Sequence, residues 1–380
     1  MLEFFRAKHF LKKNKGVGQL FWNRPANSSL AWVCAILVLA EGFFGLHFDF
    51  EVYYSAVNAY FSGGWTAVYD PFAETPFKYH PLTVWLFVPL GVLPLGLAAW
   101  LWAGLNGWFT YQACRRFQVV FGAANWMPVL ALICVAHAWS WQIKFGNVTC
   151  LMLWLFSLFA TAEFPRKQQL ASIFLLLLKP FWLVLAPVYV IERAWRGLAW
   201  VIVGVLAASA LVYFSGLEQG NLAYSLWEKT LSDPMNAHNY PKNDNQCLFA
   251  SLYGYAQPLG GALFWIWAAM SGAYFAFVWW FSPPNLAIRA ISVLPPMLFA
   301  GPLSWIHHQI LLIPIFIYLL AQKRYTAVVL AALLFTGTSE ALVGRDLFQV
   351  LSQWRIPVLG FWVLSYGILP LGYSKQDRAN

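Results

Sequence analysis

The stretch "QLASIFLLLLKPFWLVLAPVYVIER" (residues 169–193) decides how the chain is arranged in a membrane. It is long enough to cross a hydrocarbon core of about 30 Å as one helix. Lys179 and Pro180 lie in its middle, and a proline inside a helix removes a backbone hydrogen bond and breaks or kinks the helix. A break at membrane depth is tolerated where it is buried in protein or lines a watery cavity. The pattern predicts either Lys179 in an outward-facing cavity or a lysine that snorkels beside a helix kink.

Apolar runs of this kind recur along the whole chain. Of its 380 residues, 60% are hydrophobic and 10% are charged, and no soluble segment of domain size interrupts the runs. We therefore predict an all-α polytopic membrane protein, with residues 1–380 forming a single integral membrane domain. The sequence predicts about twelve transmembrane segments: 30–46, 81–112, 125–141, 147–164, 168–178, 180–191, 196–214, 259–281, 286–302, 306–321, 325–342 and 354–373.

The distribution of lysine and arginine predicts the orientation. Residues 1–28 are basic and favour a cytoplasmic N-terminus, followed by a retained first helix rather than a cleaved signal peptide. A single helix over 169–193 would place Arg193 and Arg196 outside, whereas a split at Lys179-Pro180 keeps most basic residues inside. Seven basic residues still fall on the outer side or at membrane depth: Lys78, Lys144, Lys179, Lys229, Lys242, Arg345 and Arg355.

Ten carboxylates fall on that same outer side. The convergence of acids and bases there predicts that any chemistry takes place on the non-cytoplasmic face. The net charge of +9 is explained by the cytoplasmic loops and does not indicate binding of nucleic acid. The five cysteines form no C-x-x-C pair, and there is no HExxH zinc motif.

Two long loops are expected on the outer face, at 47–80 and 215–258. The first contains "FEVYYSAVNAYF" (50–61), whose apolar residues recur at helical spacing and predict an amphipathic surface helix that "SGGW" (62–65) ends. Asp49 and Glu51 stand at its start. Either Asp49 is the N-cap and Glu51 complements the helix dipole, or Asp49 is a general base or metal ligand at the top of a cavity.

Other polar groups on the outer side are candidates for binding. His307 and His308 begin a transmembrane segment, where imidazoles could bind a phosphate or a metal or serve only as structural groups. Asn245 and Gln246 suit sugar hydroxyls or a phosphate, although a solvated loop explains them equally well. Asn147 lies in a short turn that reads more simply as the tip of a helical hairpin.

Six stretches, in this order, carry a family resemblance: "DFEVYYSAVNAYFSGG", "VYDPFAETPFKYHPLTVWLFVPLGVLP", "KFGN", "LKPFWLVLAPVYVIERAWR", "NDNQ" and "GPLSWIHHQILLIP". Together they resemble glycosyltransferase family 87, membrane mannosyltransferases of the type C superfamily that use polyprenyl phosphate sugars. The resemblance runs from about residue 47 to about residue 320. It implies a type C glycosyltransferase-like bundle that works on a lipid phosphate sugar.

The resemblance also implies roles for individual residues. The acidic motif of the first outer loop falls on Asp49-Phe50-Glu51, which implies that Asp49 is the catalytic base and leaves Glu51 as an accessory acid. The donor phosphate and sugar would be bound by Lys179, His307, His308, Tyr79, His80, Asn245, Gln246 and Asn147. Two departures affect the sugar site: Gly146-Asn147-Val148-Thr149 replaces Gly-Gln-x-Asn, and Asn245-Gln246-Cys247 replaces Asn-Gln-Ser.

These implications give an expected reaction. A sugar, with mannose expected, moves with inversion from a polyprenyl phosphate donor to a hydroxyl of a lipid or glycan acceptor. We expect it in the plasma (inner) membrane of a bacterium, with the active site facing the periplasm or exterior. No cofactor is required, although Asp49 and Glu51 with a histidine could hold a divalent ion. The alternative from another class is a transporter of a charged solute that uses Lys179 and the outer-face acids.

Overall fold

The computed structural model of the protein describes residues 27–69, 77–161, 164–214, 217–232, 262–281, 285–300, 306–353 and 356–369. In these ranges the chain forms helices and no strand, which confirms the predicted all-α class. The first half contains α1 (Ser28–Phe44), α2 (Phe48–Val68), α3 (Leu82–Gly91), α4 (Leu95–Val120), α5 (Met127–Cys134), α6 (Ala136–Phe145), α7 (Thr149–Thr161), α8 (Pro165–Leu178), a 3-10 helix (Pro180–Leu185) and α9 (Ala186–Ile191).

The second half continues with α10 (Trp195–Phe214), α11 (Leu217–Ser232), α12 (Ala262–Phe281), α13 (Leu286–Ser292), α14 (Leu294–Ala300), a 3-10 helix (Ile306–Leu312), α15 (Ile313–Ala321), α16 (Tyr325–Phe335), α17 (Glu340–Val343), α18 (Arg345–Gln353), a 3-10 helix (Ile356–Val358) and α19 (Leu359–Ile368). The core forms around α4, which packs against α1 and α7, and α7 in turn packs against α8.

Among the described residues, α10 alone is a single helix long and apolar enough to cross a membrane. The pairs α1 with α2 and α3 with α4 satisfy the same criterion only together, and they bend by 69° and 115°. The expected single segment 81–112 is therefore wrong, because the chain turns sharply between Gly91 and Leu95. Several other predicted segments are apolar helices of 10–17 residues, so the count of twelve spans is not confirmed.

The exposed surface of α10 is apolar. Trp200, Ile202, Val203 and Leu206 are each more than half exposed. Extended apolar surface of this kind is costly in water and marks a membrane or partner contact. This surface and the apolar helices are typical of a membrane protein.

The predicted break at Lys179-Pro180 is confirmed. The helix α8 ends at Leu178, Lys179 is extended at φ −149° and ψ 121°, and Pro180 begins a 3-10 helix. The reason is local, since the residue before a proline is pushed out of the helical region of backbone conformation. The break leaves the Lys179 side chain half-buried inside the helical bundle.

The loops predicted to be cytoplasmic meet one another in space. The Asn27 amide donates to Gln118 Oε1 and to the carbonyl of Asn125, at 3.2 and 2.7 Å. Arg289 forms an ion pair with Glu192, next to the predicted cytoplasmic Arg193. These contacts join the start of α1 to the loop after α4, and the loop after α9 to α13.

The helix α4 runs from the end of the bundle that holds Asn27 and Gln118 to the opposite end. Its Trp102 Nε1 donates to the carbonyl of Gly146 at 2.7 Å, whereas Gln118 sixteen residues later contacts Asn27. At 1.5 Å per residue these contacts lie about 24 Å apart along the helix. The turn at Gly146 and the α1–α2 corner, where Leu46 N–H donates to the carbonyl of Lys144, belong to this second end. It is the end that the sequence places on the outer side.

The helix predicted in the first outer loop is present as α2, and two details differ. It continues past "SGGW" to Val68, with a kink at Gly64 (φ 67°, ψ −157°) in place of the expected end. Its N-cap is His47, so the alternative in which Asp49 caps the helix is wrong. Asp49 and Glu51 lie in the first turn, where the helix dipole favours acids.

Candidate active site

Asp49 projects from the first turn of α2 toward the turn between α6 and α7. Its Oδ2 accepts a hydrogen bond of 2.6 Å from Asn147 Nδ2. The Asp49 carboxyl is half-buried and Asn147 is buried. Two loops that are 98 residues apart in the sequence thus meet at a single carboxylate.

The backbone at Gly146 makes this contact possible. Gly146 ends α6 in the left-handed conformation (φ 63°), which glycine adopts without a steric cost. A Cβ at this position would lie 3.2 Å from the Cβ of Phe50, the neighbour of Asp49. Glycine therefore allows α2 to approach the α6–α7 turn closely enough for Asp49 to reach Asn147.

The orientation of the Asn147 amide follows from its other hydrogen bonds. Its Oδ1 accepts from the backbone N–H of Thr149 at 3.1 Å and from Thr149 Oγ1 at 2.8 Å. Gln142 Nε2 donates to the Asn147 carbonyl at 2.7 Å. An oxygen that accepts from a backbone N–H has to be the amide oxygen, so the NH₂ group faces Asp49.

Two lysines contribute positive charge at Asp49. Burial raises the pKa of the Asp49 carboxyl, and the Asn147 hydrogen bond and the charges of Lys179 and Lys78 act in the opposite direction. Lys179 Nζ lies 5.0 Å from the ring centroid of Tyr79, a cation–π contact. The hydroxyl of Tyr79 shares a hydrogen bond of 2.9 Å with Tyr53 on α2. The structure thus brings Asp49, Tyr79 and Lys179 together, and the roles that the family resemblance implies for them remain predictions.

Lys78 is the residue that the sequence reasoning missed. It appeared there only as one of seven basic residues on the unfavoured side of the membrane. In the structure its charge acts on both Asp49 and Lys179. Two lysine charges near one carboxylate leave an excess of positive charge, which suits a phosphate.

His307 and His308 lie beside this group in the 3-10 helix 306–312. Their ring centroids are 4.5 Å apart, and the His307 ring is 6.1 Å from that of Phe145. The charge of Lys179 acts on both histidines. Both ring nitrogens of His307 are buried, and neither has a hydrogen-bond partner among the residues that the structure describes. Buried polar groups normally have partners, so an unpartnered imidazole beside a lysine is a candidate ligand contact.

His80 is engaged elsewhere. Its Nδ1 accepts from the backbone N–H of Leu82 at 3.2 Å, so the proton of the neutral ring is on Nε2. Nε2 lies 3.2 Å from both Ser209 Oγ and the hydroxyl of Tyr224 on α11. Burial lowers the pKa of His80 to about 4. In this structure His80 joins the first outer loop to α10 and α11, and its predicted role in donor binding remains a prediction.

The remaining predicted residues are Glu51, Asn245 and Gln246. Glu51 is exposed, and two helical steps of about 100° place it on the opposite face of α2. Asn245 and Gln246 lie outside the described residues. Within the described part of the chain, no three His, Cys, Asp or Glu side chains are grouped to hold a metal ion.

An apolar cavity of about 690 Å³ begins next to the histidines. The 3-10 helix 180–185 and α9 form one wall, and α12, Val293 and α14 form the other. Phe181 lines it, and its ring centroid is 5.9 Å from that of His308. Other residues of the lining include Val184, Trp267, Phe275, Val293 and Met297. The polar group around Lys179 and this apolar space are therefore neighbours.

The comparison with known families agrees with the resemblance. The family model described as glycosyltransferase family 87 matches residues 77–302, which is more than half of the chain. The chain belongs to glycosyltransferase family 87. Neither a curated protein nor a solved structure gave a match to it.

Membership identifies the protein as a glycosyltransferase, which uses a sugar donor and an acceptor. It provides no support for the transporter alternative. The matched range contains Lys78, Tyr79, Asn147 and Lys179, whereas Asp49 and the histidine pair lie outside it. The proposed part of Asp49 in the chemistry therefore depends on its geometry in this structure.

Proposed function

We propose that this family 87 glycosyltransferase moves a sugar from a polyprenyl phosphate donor to an acceptor hydroxyl, with Asp49 as general base. The observation that carries the proposal is the position of Asp49. It is the carboxylate held by Asn147 beside two lysines, within the group of residues that adjoins the apolar cavity. A base, a cationic site for phosphate and an apolar space are the three elements that such a reaction needs.

The reaction is a single displacement. Asp49 takes the proton from the acceptor hydroxyl as its oxygen forms a bond to the anomeric carbon of the donor sugar. The bond between that carbon and the phosphate oxygen breaks, and its electron pair leaves with the polyprenyl phosphate. Attack opposite to the leaving group inverts the anomeric carbon. The base must approach within about 2.6 to 3.2 Å of the oxygen it deprotonates.

Negative charge grows on the leaving phosphate as the bond breaks. Fixed positive charges placed where charge develops stabilise a transition state more than a ground state. Lys179 and Lys78 supply these charges, and His307 has ring nitrogens available to donate a hydrogen bond or accept one. The donor is a phosphodiester with one negative charge, which balances the excess positive charge of two lysines and one carboxylate. Once Asp49 has taken the proton, the two lysines balance the two charges of the leaving polyprenyl phosphate.

The apolar cavity supports a donor with a hydrocarbon chain. A lipid phosphate would place its head group at Lys179 and its chain past Phe181 along α9 and α12. A nucleotide sugar has no apolar part for this space. Mannose as the sugar, and a lipid or glycan as the acceptor, follow from the family resemblance and form the finer part of the proposal.

The sidedness of the loops supports a location for the reaction. Asp49, Lys78 and Asn147 lie in loops predicted on the outer side, whereas the loops around Arg193 and Arg289 are predicted inside. We place the active site on the non-cytoplasmic face, in the periplasm if the membrane is the bacterial inner membrane.

The test compares Asp49→Asn with the matched control Glu51→Gln, two residues away on the same helix. The purified full chain in lipid nanodiscs receives polyprenyl phosphate mannose and a panel of lipid and glycan acceptors. A general base contributes about 10²- to 10⁴-fold to rate, so D49N loses that factor while E51Q stays near wild type. Equal transfer by D49N and wild type contradicts the role of Asp49. Transfer from GDP-mannose in place of the lipid donor contradicts the donor class.

A further inference from the structure

We propose that Asn147, which the sequence assigned to sugar binding, is instead a positioning residue that orients Asp49 for proton transfer. This inference rests on the proposed function of Asp49 as base. It concerns which oxygen of the carboxylate takes the proton and in which charge state the carboxylate waits for substrate.

The first argument is the use of every polar atom of Asn147 seen in the structure. Its Oδ1 has two acceptor positions, and Thr149 fills both with its backbone N–H and its hydroxyl. Its backbone carbonyl accepts from Gln142. Its Nδ2 group donates to Asp49 and also forms a hydrogen bond with the Tyr79 hydroxyl. A sugar hydroxyl would find no free acceptor on this side chain.

The second argument is that the Asn147 side chain is held in a fixed position. Asn147 is buried at 3% exposure, between the left-handed Gly146 and the start of α7. The Oδ1 contact with the N–H two residues later is an Asx turn, which fixes the side chain relative to its own backbone. The donor to Asp49 is therefore held in place before any substrate binds.

The third argument concerns the carboxylate itself. The hydrogen bond from Asn147 occupies Oδ2 and favours the charged form, because an amide donates better to a carboxylate than to a carboxylic acid. Oδ1 is left as the oxygen that takes the acceptor proton. Asn147 thus favours the ionised form of Asp49 against the effect of burial, and it turns Oδ1 toward the reacting hydroxyl.

Two substitutions separate this role from sugar binding. Asn147→Asp keeps an oxygen that can accept from Thr149, so the Asx turn survives, but it removes the donor and puts a second carboxylate against Asp49. Asn147→Ala removes both. Asn58→Asp is the matched control, because Asn58 is exposed on the same helix as Asp49 and takes no part in the site.

The kinetic readout is the pH profile of kcat/KM for the full chain in nanodiscs with polyprenyl phosphate mannose. Loss of a hydrogen bond to a charged group shifts the pKa of that group by about one to two units, and the acid limb of the pH profile moves by the same amount. We expect that limb to move to higher pH in N147A and further in N147D. At pH 7 kcat falls about tenfold or more and partly recovers at alkaline pH, while the donor KM changes less than about twofold. N58D follows wild type.

An infrared titration supplies a readout that does not depend on activity. Difference spectra against Asp49→Asn isolate the C=O stretch of the protonated Asp49 carboxyl, and its midpoint should rise in N147A and N147D. An unchanged midpoint overturns the inference. So does a tenfold rise in donor KM with an unmoved acid limb, which is the signature of sugar binding. If wild type transfers no sugar from any lipid donor, the proposed function fails, and the infrared midpoints still decide whether Asn147 holds the carboxylate.

Discussion

Gly146→Ala is expected to lower activity without contacting any substrate, and the structure gives the size of the effect. At φ 63° an alanine is strained by about 1–2 kcal/mol relative to its ordinary conformations. The new methyl carbon would also lie 3.2 Å from Phe50 Cβ, several tenths of an ångström closer than carbon atoms prefer. Relief of that contact moves the start of α2, and Asp49 with it, away from Asn147.

Gly122→Ala is a matched control. Gly122 has nearly the same conformation, with φ 65°, but a Cβ there would meet nothing within 4 Å. Both variants should therefore lose about 1–2 kcal/mol of stability through backbone strain, and only G146A should displace Asp49.

The expected loss of activity follows from the displacement. A shift of 1 Å at a reacting group can cost about a hundredfold in rate, so a shift of a few tenths of an ångström predicts a decrease of about three- to tenfold. The assay measures kcat at saturating donor together with the unfolding temperature of both variants. If G146A retains the same kcat as G122A at equal stability, the close approach at Gly146 does not position Asp49, and the reasoning is refuted.

Three further predictions follow from the same geometry. Lys179→Met should reduce kcat/KM for the lipid phosphate donor at least tenfold, because a cation at the leaving phosphate is lost; the exposed Lys144→Met is the control, and equal effects of the two would contradict a special role for Lys179. Ala268→Trp should fill part of the apolar cavity and raise the KM for long-chain donors more than for short-chain ones. An equal rise in KM for both kinds of donor would contradict binding of the donor's hydrocarbon chain in this cavity. His80 stays neutral in the fold to about pH 4 but takes up a proton near pH 6.5 when unfolded, so its contribution to stability is complete above pH 6.5 and is lost as the pH falls toward 4. The unfolding temperature should fall over this range, and less steeply in His80→Gln; parallel curves would exclude His80 as the cause.

The break at Lys179-Pro180 shows what local rules can predict. The conformation of Lys179 follows from the proline after it, and an apolar run fixes a helix on either side, so no tertiary information was needed. The bend of 115° between α3 and α4 was missed for the converse reason. An apolar run such as 81–112 specifies burial in lipid or protein, and its direction depends on the helices that pack against it.

The site shows a similar division. The family resemblance placed Asp49, Tyr79 and Lys179 in one site, and in the structure they are neighbours. Lys78 was missed because a lone lysine in an outer loop carries no signal beyond its unfavoured side of the membrane. Asn147 was identified as a site residue, but its predicted role was binding of the donor sugar. The sequence contains no information on which neighbouring side chain Asn147 contacts.

The sequence by itself determined that the chain is a helical membrane protein and that α8 ends at Lys179-Pro180, and it predicts that acids and bases gather on the outer side. These properties depend on hydrophobicity, on proline and glycine, and on the positive-inside rule, all of which act locally along the chain. Only the tertiary structure decided that Asn147 reaches Asp49 and that an apolar cavity opens beside His308. Those contacts join residues about 100 or more positions apart, and their distances are set by how the helices pack.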